Sequence, residues 1–388
     1  MVKNSLPISK LTSIGLAIFS MFFGAGNLIF ALRVGTQFKD ELGIALSGFL
    51  ITAVLLPIIG VLAVLPKQGN LHRFFEAAGN HIGTKILCYV LFAVIGPCVA
   101  MPRIVTLSHT IISPFVPWFS LFGFTLLFLA IVFLLAWSES KIIEILGNFI
   151  SPLLLISLAT FVLFAFVRSP LPTSTTPFSL QTFFTNLKYG YNTLDFLTAP
   201  FFASVILSIL SKQKTQQDEA TLFKSGLIGS IIGVSLLGLV YLGLSLASAR
   251  VPIDLAGHNE AEVLSLLSIE VLGPSGAILQ AIIIVLACIS TIIALAAVSA
   301  EFFQKELFPH SKQHYWFFLL VSLSITGVIS NFGLSRILSL SKPIIEAISP
   351  AILMLCVGNI LDWKFAFKHT KLLVWLTLGA TLAAFWLS

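Results

Sequence analysis

The chain has 388 residues, 57% of them apolar and 10% charged, and its mean hydropathy is +1.02. A soluble domain carries about 25% charged residues, so this composition excludes a water-covered globular fold. The formal charge of +6 then reads as the excess of Lys and Arg expected in cytoplasmic loops, not as a nucleic-acid footprint.

Apolar stretches long enough to cross about 30 Å of hydrocarbon as helices recur from end to end. They predict eleven spans, at 11–32, 42–65, 86–113, 118–136, 142–167, 186–210, 226–248, 276–300, 315–330, 337–361 and 371–387. Lys3 and Lys10 ahead of the apolar run and the small residues Gly24, Ala25 and Gly26 imitate a secretory signal. The long series of spans behind them makes this segment the first membrane helix instead. With a cytoplasmic N-terminus, fourteen basic residues fall on the inner side, among them Lys10, Lys67, Arg73, Lys141, Lys224 and Lys364. Six fall outside: Arg33, Lys39, Arg168, Lys188, Arg250 and Arg336. That bias sets the N-terminus inside. The longest outer connection, 250–273, is net acidic through Asp254, Glu260, Glu262 and Glu270.

Span one reads MFFGAGNLIF over 21–30. Gly24 and Gly26 lower the barrier to non-helical dihedrals, and Asn27 can bond peptide groups that a break would release. Two readings fit, close helix packing through small residues and an unwound point near 24–27. In span three, Arg103 follows Pro97 and Pro102; it either pairs with a carboxylate on the access route or snorkels to the headgroups. The four cysteines, Cys88, Cys98, Cys288 and Cys356, sit in apolar stretches without metal-ligand spacing and read as small core residues.

Span five contains GNFISP (147–152) and span ten, five helices later, EAISP (346–350). Helices five apart run in opposite directions, so the shared Ile-Ser-Pro points to an inverted five-plus-five repeat. On span ten, Lys342 and Glu346 are four apart and can pair on one face.

Span six, YGYNTLDFLTAP (189–200), is too polar for lipid contact and must face protein or water. Pro200 cannot donate the bond that helix continuity needs, which places a second break over 192–199. An ionised Asp195 near mid-membrane costs at least about 2.5 kcal/mol. It is either a hydrogen-bonded structural group or one linked to a cation or gate. Broken first helices in both halves suit paired discontinuous helices, with half-helix amides facing an anion and released carbonyls a cation. Span eight adds Ser290 and Thr291 in ACISTIIAL (287–295). These hydroxyls either bond back to their own helix or serve a hard cation.

GPSG at 273–276 has a Gly-x-Ser-Gly form, but the later histidines His310, His314 and His369 fall in predicted cytoplasmic loops, out of reach of Ser275. A second intramembrane aspartate for an aspartyl pair is also lacking. An enzyme is therefore not expected, and broken helices with no ring of like charge favour an occluding carrier over a channel.

The stretches FFGAGNLIF (22–30), GPCVAMPRIVTLS (96–108), GNFISP (147–152), YGYNTLDFL (189–197), ACISTIIALAAVSAEFF (287–303) and ISNFGLSRILSLSKPIIEAISP (329–350) resemble the bacterial branched-chain amino acid:cation symporter family. They run through spans one to ten in order. The resemblance implies an all-α membrane protein with a LeuT-like core and discontinuous helices one and six. Its activity would be import of leucine, isoleucine and valine by symport with Na+ or H+ through alternating access, with an exchanger or uniporter as the alternative. It places the substrate carboxylate at Ala25, Gly26 and Asn27, with Asn192 and Asp195 also on the substrate side. A sodium site would use carbonyls near Ser20, Phe23 and Ala287 and the hydroxyls of Ser290 and Thr291. No other metal and no organic cofactor is expected. The whole chain, 1–388, reads as one transporter domain in a bacterial inner membrane: repeat one about 11–167, repeat two about 186–361, and a peripheral helix at 371–387. Family members usually show twelve spans; the difference lies outside the ten-helix core and bears on oligomer contacts, which the sequence does not define.

Overall fold

A computed structural model describes residues 7–79, 82–138, 141–168, 179–212, 219–251, 266–267, 269–304 and 314–387. Those residues form helices and turns, and no strand occurs among them. Seven helical stretches are long and apolar enough to span a membrane, and an eighth is the bent pair α1 (Ile8–Phe22) and α2 (Ala25–Gln37). Three shorter apolar helices complete the set, Leu121–Ala136, Tyr315–Ser330 and Thr370–Ala384. The predicted spans at 118–136, 315–330 and 371–387 correspond to these shorter helices. Large apolar side chains such as Leu134, Leu163, Val167, Leu239 and Leu376 are exposed; on a membrane protein that surface meets lipid tails.

The bent pair is wrapped by α13 (Glu219–Ala249), which packs along both of its halves. Small residues permit the approach: a Cβ at Gly15 would come 2.5 Å from Ile232, and one at Gly229 2.5 Å from Ile14. Ser245 and Ser248 donate from α13 to the carbonyls of Ala31 and Leu32 at 2.7 and 2.8 Å, tying it to α2. A long helix over Pro274–Phe302, here α14, lies against α1 on another side.

Span two is not a uniform helix. α3 (Leu42–Leu50) passes through a π-helical turn at Ile51–Leu55 into α4 (Leu56–Val64). Pro57 has no N–H to give Ala53, and the wider turn absorbs the lost bond. The same device precedes Pro152, where a π-helical segment, Ile145–Ile150, runs into the helix Ser151–Arg168. Ser151 donates there to the carbonyls of Leu146 and Leu16. Its counterpart Ser349 bonds Ile345 inside the long helix Leu334–Phe365. The two Ile-Ser-Pro segments therefore differ in local structure. Lys342 and Glu346 are both exposed, and no ion pair joins them.

Span six divides into α11 (Leu180–Tyr191) and α12 (Asp195–Lys212). The interruption is only Asn192–Leu194, and Pro200 lies inside α12. Proline as the cause of this break is therefore a misreading. The turn is made by Leu194, whose φ of 69° is left-handed, a conformation costing a branched residue of order 1–3 kcal/mol.

Candidate substrate and cation site

The two breaks meet in the middle of the molecule. Asp195, the first residue of α12, is 2% exposed. Asn27, in the first turn of α2, donates its amide to Asp195 Oδ1 and Oδ2 at 2.7 Å each and to the Tyr241 hydroxyl at 2.5 Å. Tyr241, wholly buried on α13, donates to Asp195 Oδ2 at 2.6 Å. Three helices thus hold one carboxylate in place, and its hydrogen bonds offset the desolvation that burial imposes. Thr193 Oγ1 donates to the Gly190 carbonyl at 2.8 Å and lies 3.4 Å from the Asp195 amide, organising the turn.

Beside this cluster is a cavity between the breaks, α7 (Ala100–Ile112) and α14. Met21, Phe22, Ala100, Ile104, Leu107, Phe202 and Leu295 supply an apolar wall, and Asn27, Arg103, Thr193, Asp195, Thr198 and Thr291 its polar groups. This is a small, mostly apolar chamber with a few fixed polar points, the usual composition of a small-ligand site.

Of the substrate-side residues expected from sequence, Gly26, Asn27 and Asp195 line the chamber, and Ala25 opens α2 beside it. Asn192 is different. Its side chain donates back to the Lys188 carbonyl at 3.0 Å, and it is the Asn192 carbonyl that reaches inward, to Arg103 Nη1 at 3.1 Å. Arg103 does not snorkel: it is 8% exposed, with its guanidinium 5.6 Å from the Phe30 ring centre.

Of the expected cation residues, Ser20 lies in the last turn of α1 and Phe23 caps it, while Ala287, Ser290 and Thr291 lie on α14, which packs against α1. At the end of α1 the Gly24 amide bonds the Phe22 carbonyl at 2.9 Å, so the Ser20 carbonyl loses its ordinary helical partner. Ser20 Oγ and Thr291 Oγ1 are buried hydroxyls without a hydrogen-bond partner. A Cβ on Gly24 would lie 3.0 Å from Thr291 Oγ1, so that hydroxyl stands directly over the break. Ser290 instead donates to the Ala287 carbonyl at 2.9 Å. Orphaned buried hydroxyls and a released carbonyl are oxygen donors of the kind a hard cation takes, and Ser20 and Thr291 fit one in their chemistry.

Tyr241 and the apolar wall were not foreseen from sequence. A phenol deep in the otherwise apolar span seven was the available signal, since buried tyrosine needs a partner for its hydroxyl.

A second, larger cavity follows the first along α12 and α14. It is bounded by Gln68–Leu71, Ser204, Ser208, Val298 and Glu301, with Ser208 donating to Glu301 at 2.8 Å.

Residues 8–386 match the family model for branched-chain amino acid transport proteins. The chain belongs to that family. It is a multi-pass membrane transporter and not an enzyme. It is 32% identical over 360 residues to the branched-chain amino acid permease BrnQ of Bacillus subtilis, spanning 90% of this chain and 80% of that one. The Escherichia coli K12 permease BrnQ is 31% identical over 91% of this chain and 81% of its own. Among solved structures, a Na+-coupled sialic acid symporter superposes with a TM-score of 0.63 at 13% identity, covering 96% of this chain and 88% of that one. MhsT in complex with L-phenylalanine gives 0.51 at 14% identity, covering 94% and 98%. At such identities these structures speak for the fold alone, a LeuT-like transporter fold.

Proposed function

We propose that the chain imports leucine, isoleucine and valine across a bacterial inner membrane by symport with Na+ or H+, through alternating access. The observation that carries this reading is the central chamber. Its apolar wall from four helices suits a branched aliphatic side chain, while a buried carboxylate and the first turn of α2 supply polar contacts. The names of the relatives, branched-chain amino acid permeases, support the same substrate class. Hydrophobic pockets separate ligands differing by one methylene by only about 1–3 kcal/mol, so the three amino acids compete.

Na+ is favoured as the coupling ion by Ser20 and Thr291, whose unpartnered oxygens flank the Gly24 break. The core is read as spans one to five and six to ten in inverted halves, with the eleventh peripheral. The meeting of the first helix of each half at Asn27 and Asp195 supports that division. With the N-terminus cytoplasmic, as the charge bias indicates, the second cavity lies on the inner side of the chamber and forms the release route.

The test is uptake of radiolabelled leucine into proteoliposomes under an imposed Na+ or H+ gradient. Accumulation should follow one of the two gradients. Uptake indifferent to both replaces symport by a uniporter or exchanger, and no uptake of any branched-chain amino acid sinks the substrate assignment.

A further inference from the structure

We propose that Leu194 is a specificity-determining residue, its side chain held in the chamber against the aliphatic side chain of the bound amino acid so that it fixes the size the site accepts. This rests on the reading of the chamber as an amino acid site and adds to it a contact from the second break.

The backbone is the first ground. Leu194 has a φ of 69°, where Cβ crowds the following carbonyl oxygen and a bulky residue is rarely found. Elsewhere among the described residues the chain meets the same demand without strain or at little cost. Gly69, Gly79, Gly273 and Gly333 take positive φ as glycines, while Gln68 and Ala366 take it at exposed helix ends, where a left-handed residue is an ordinary way to stop a helix. Among these residues, only Leu194 combines positive φ with a large, buried apolar side chain. Glycine would make the turn freely, so the turn itself does not call for leucine. Strain of this kind persists at ligand-holding positions, where the strained residue has a task.

Placement is the second ground. Leu194 lines the chamber together with Asp195, Thr198 and Phe202, the three-and-four spacing of one helical face. Its amide donates to the Tyr191 carbonyl at 3.1 Å and its carbonyl accepts from the Thr198 amide at 3.0 Å, so its backbone is tied to α11 on one side and α12 on the other. The second cavity takes over further along α12, from Phe201 to Ser208. Leu194 and Phe202 therefore mark opposite ends of the stripe that faces the chamber. Asp195 is the next residue in the chain, so a ligand engaged by that carboxylate has its side chain within reach of Leu194.

The third ground is stiffness. A side chain on a backbone bonded in both directions, and 6% exposed, cannot step aside cheaply. A longer ligand has to displace it, with the cost of overpacking, and a shorter one leaves a void beside it. Such a wall discriminates by size from both directions.

The test uses the purified full-length protein and measures binding of radiolabelled L-leucine, with unlabelled L-leucine and L-phenylalanine as competitors. Both carry the same ammonium and carboxylate, so a change at the polar end of the site moves them together and a change at the side-chain end separates them. Wild type should prefer leucine. In Leu194→Gly, which adopts the same φ freely, leucine should weaken while phenylalanine holds or gains. Leucine's lead should shrink by at least about 10-fold, the low end of what one methylene is worth in an apolar pocket. Leu194→Asn also tolerates the left-handed conformation and nearly keeps the shape of leucine, but sets an amide in the apolar wall. There the competitors are L-valine and its isostere L-threonine, and valine's lead should shrink by about 10-fold. An unchanged lead of leucine in Leu194→Gly, or leucine and phenylalanine weakened together, overturns the assignment and leaves Leu194 a packing residue of the turn. If Leu194→Gly does not fold, an unchanged lead of valine over threonine in Leu194→Asn overturns it equally. Wild type that binds none of leucine, isoleucine and valine is the distinct failure of the underlying amino acid reading.

Discussion

The two breaks that form the site are built in opposite ways. At the first, the helix axis turns by 73° between α1 and α2, and what surrounds the turn is unfinished: a carbonyl at Ser20 without its helical donor and two buried hydroxyls without partners. At the second, α11 and α12 continue as one span, Leu180–Leu210. Its short turn is closed by bonds of its own, from the Thr193 hydroxyl to Gly190 and from the Leu194 amide to Tyr191. An unfinished break can accept a ligand, because the ligand supplies what burial has removed. A finished break cannot, but it can present a side chain in a fixed place, and here it presents Asp195.

The largest test of that division is Asp195→Asn. The amide keeps the shape, removes the charge and sets an N–H₂ against the Asn27 and Tyr241 donors. Leucine transport should fall by about 100-fold, in line with roughly 3 kcal/mol for removing one member of a buried charged network. Near-normal uptake by a normally expressed variant would mean that the second break presents nothing the substrate uses.

Thr291→Val tests the first break. Valine matches threonine in shape and lacks the oxygen, so packing of α14 against α1 should survive while the cation loses a donor. Apparent cation affinity should drop by about 10-fold, near 1.4 kcal/mol, and leucine affinity at saturating cation should change much less. Cation dependence identical to wild type would remove the site from this break.

How far these features were legible follows from where their partners lie. The first break could be read because its cause is local: glycines within one turn permit it. Its place was read slightly late, since Gly24 caps α2 and Asn27 is already helical. The second break was legible in its polarity and not in its cause, because proline is accommodated within α12 and the turn is carried by Leu194, a residue with no turn signature. Tyr241 was legible only as a phenol in an apolar span and not in its role, as its hydroxyl is explained only by Asn27 and Asp195, 214 and 46 residues away. Adjacent hydroxyls at 290 and 291 were visible in the sequence, but which one bonds its own helix is decided by rotamers. Replacing Tyr241 by Phe, which deletes one of the bonds on Asp195 and leaves the ring, should weaken leucine binding by about 5-fold, near 1 kcal/mol. A wild-type affinity in Tyr241→Phe would show that Asn27 alone positions the carboxylate.

The smallest expected effect separates the two hydroxyls of span eight. Ser290 Oγ gives its proton to the Ala287 carbonyl, so the group is already satisfied within α14 and any help to a cation comes from its remaining lone pairs. Thr291 Oγ1 is buried and unsatisfied, so its interaction with a cation replaces no existing bond. Ser290→Ala should therefore lower apparent cation affinity by no more than about 2–3-fold, within about 0.6 kcal/mol, well short of Thr291→Val. The pair is measured in one titration of leucine uptake against Na+, with expression and thermal stability checked for both variants. If Ser290→Ala proves the more damaging, the cation sits deeper along α14 than Gly24, and the open side of the first break is not where it binds.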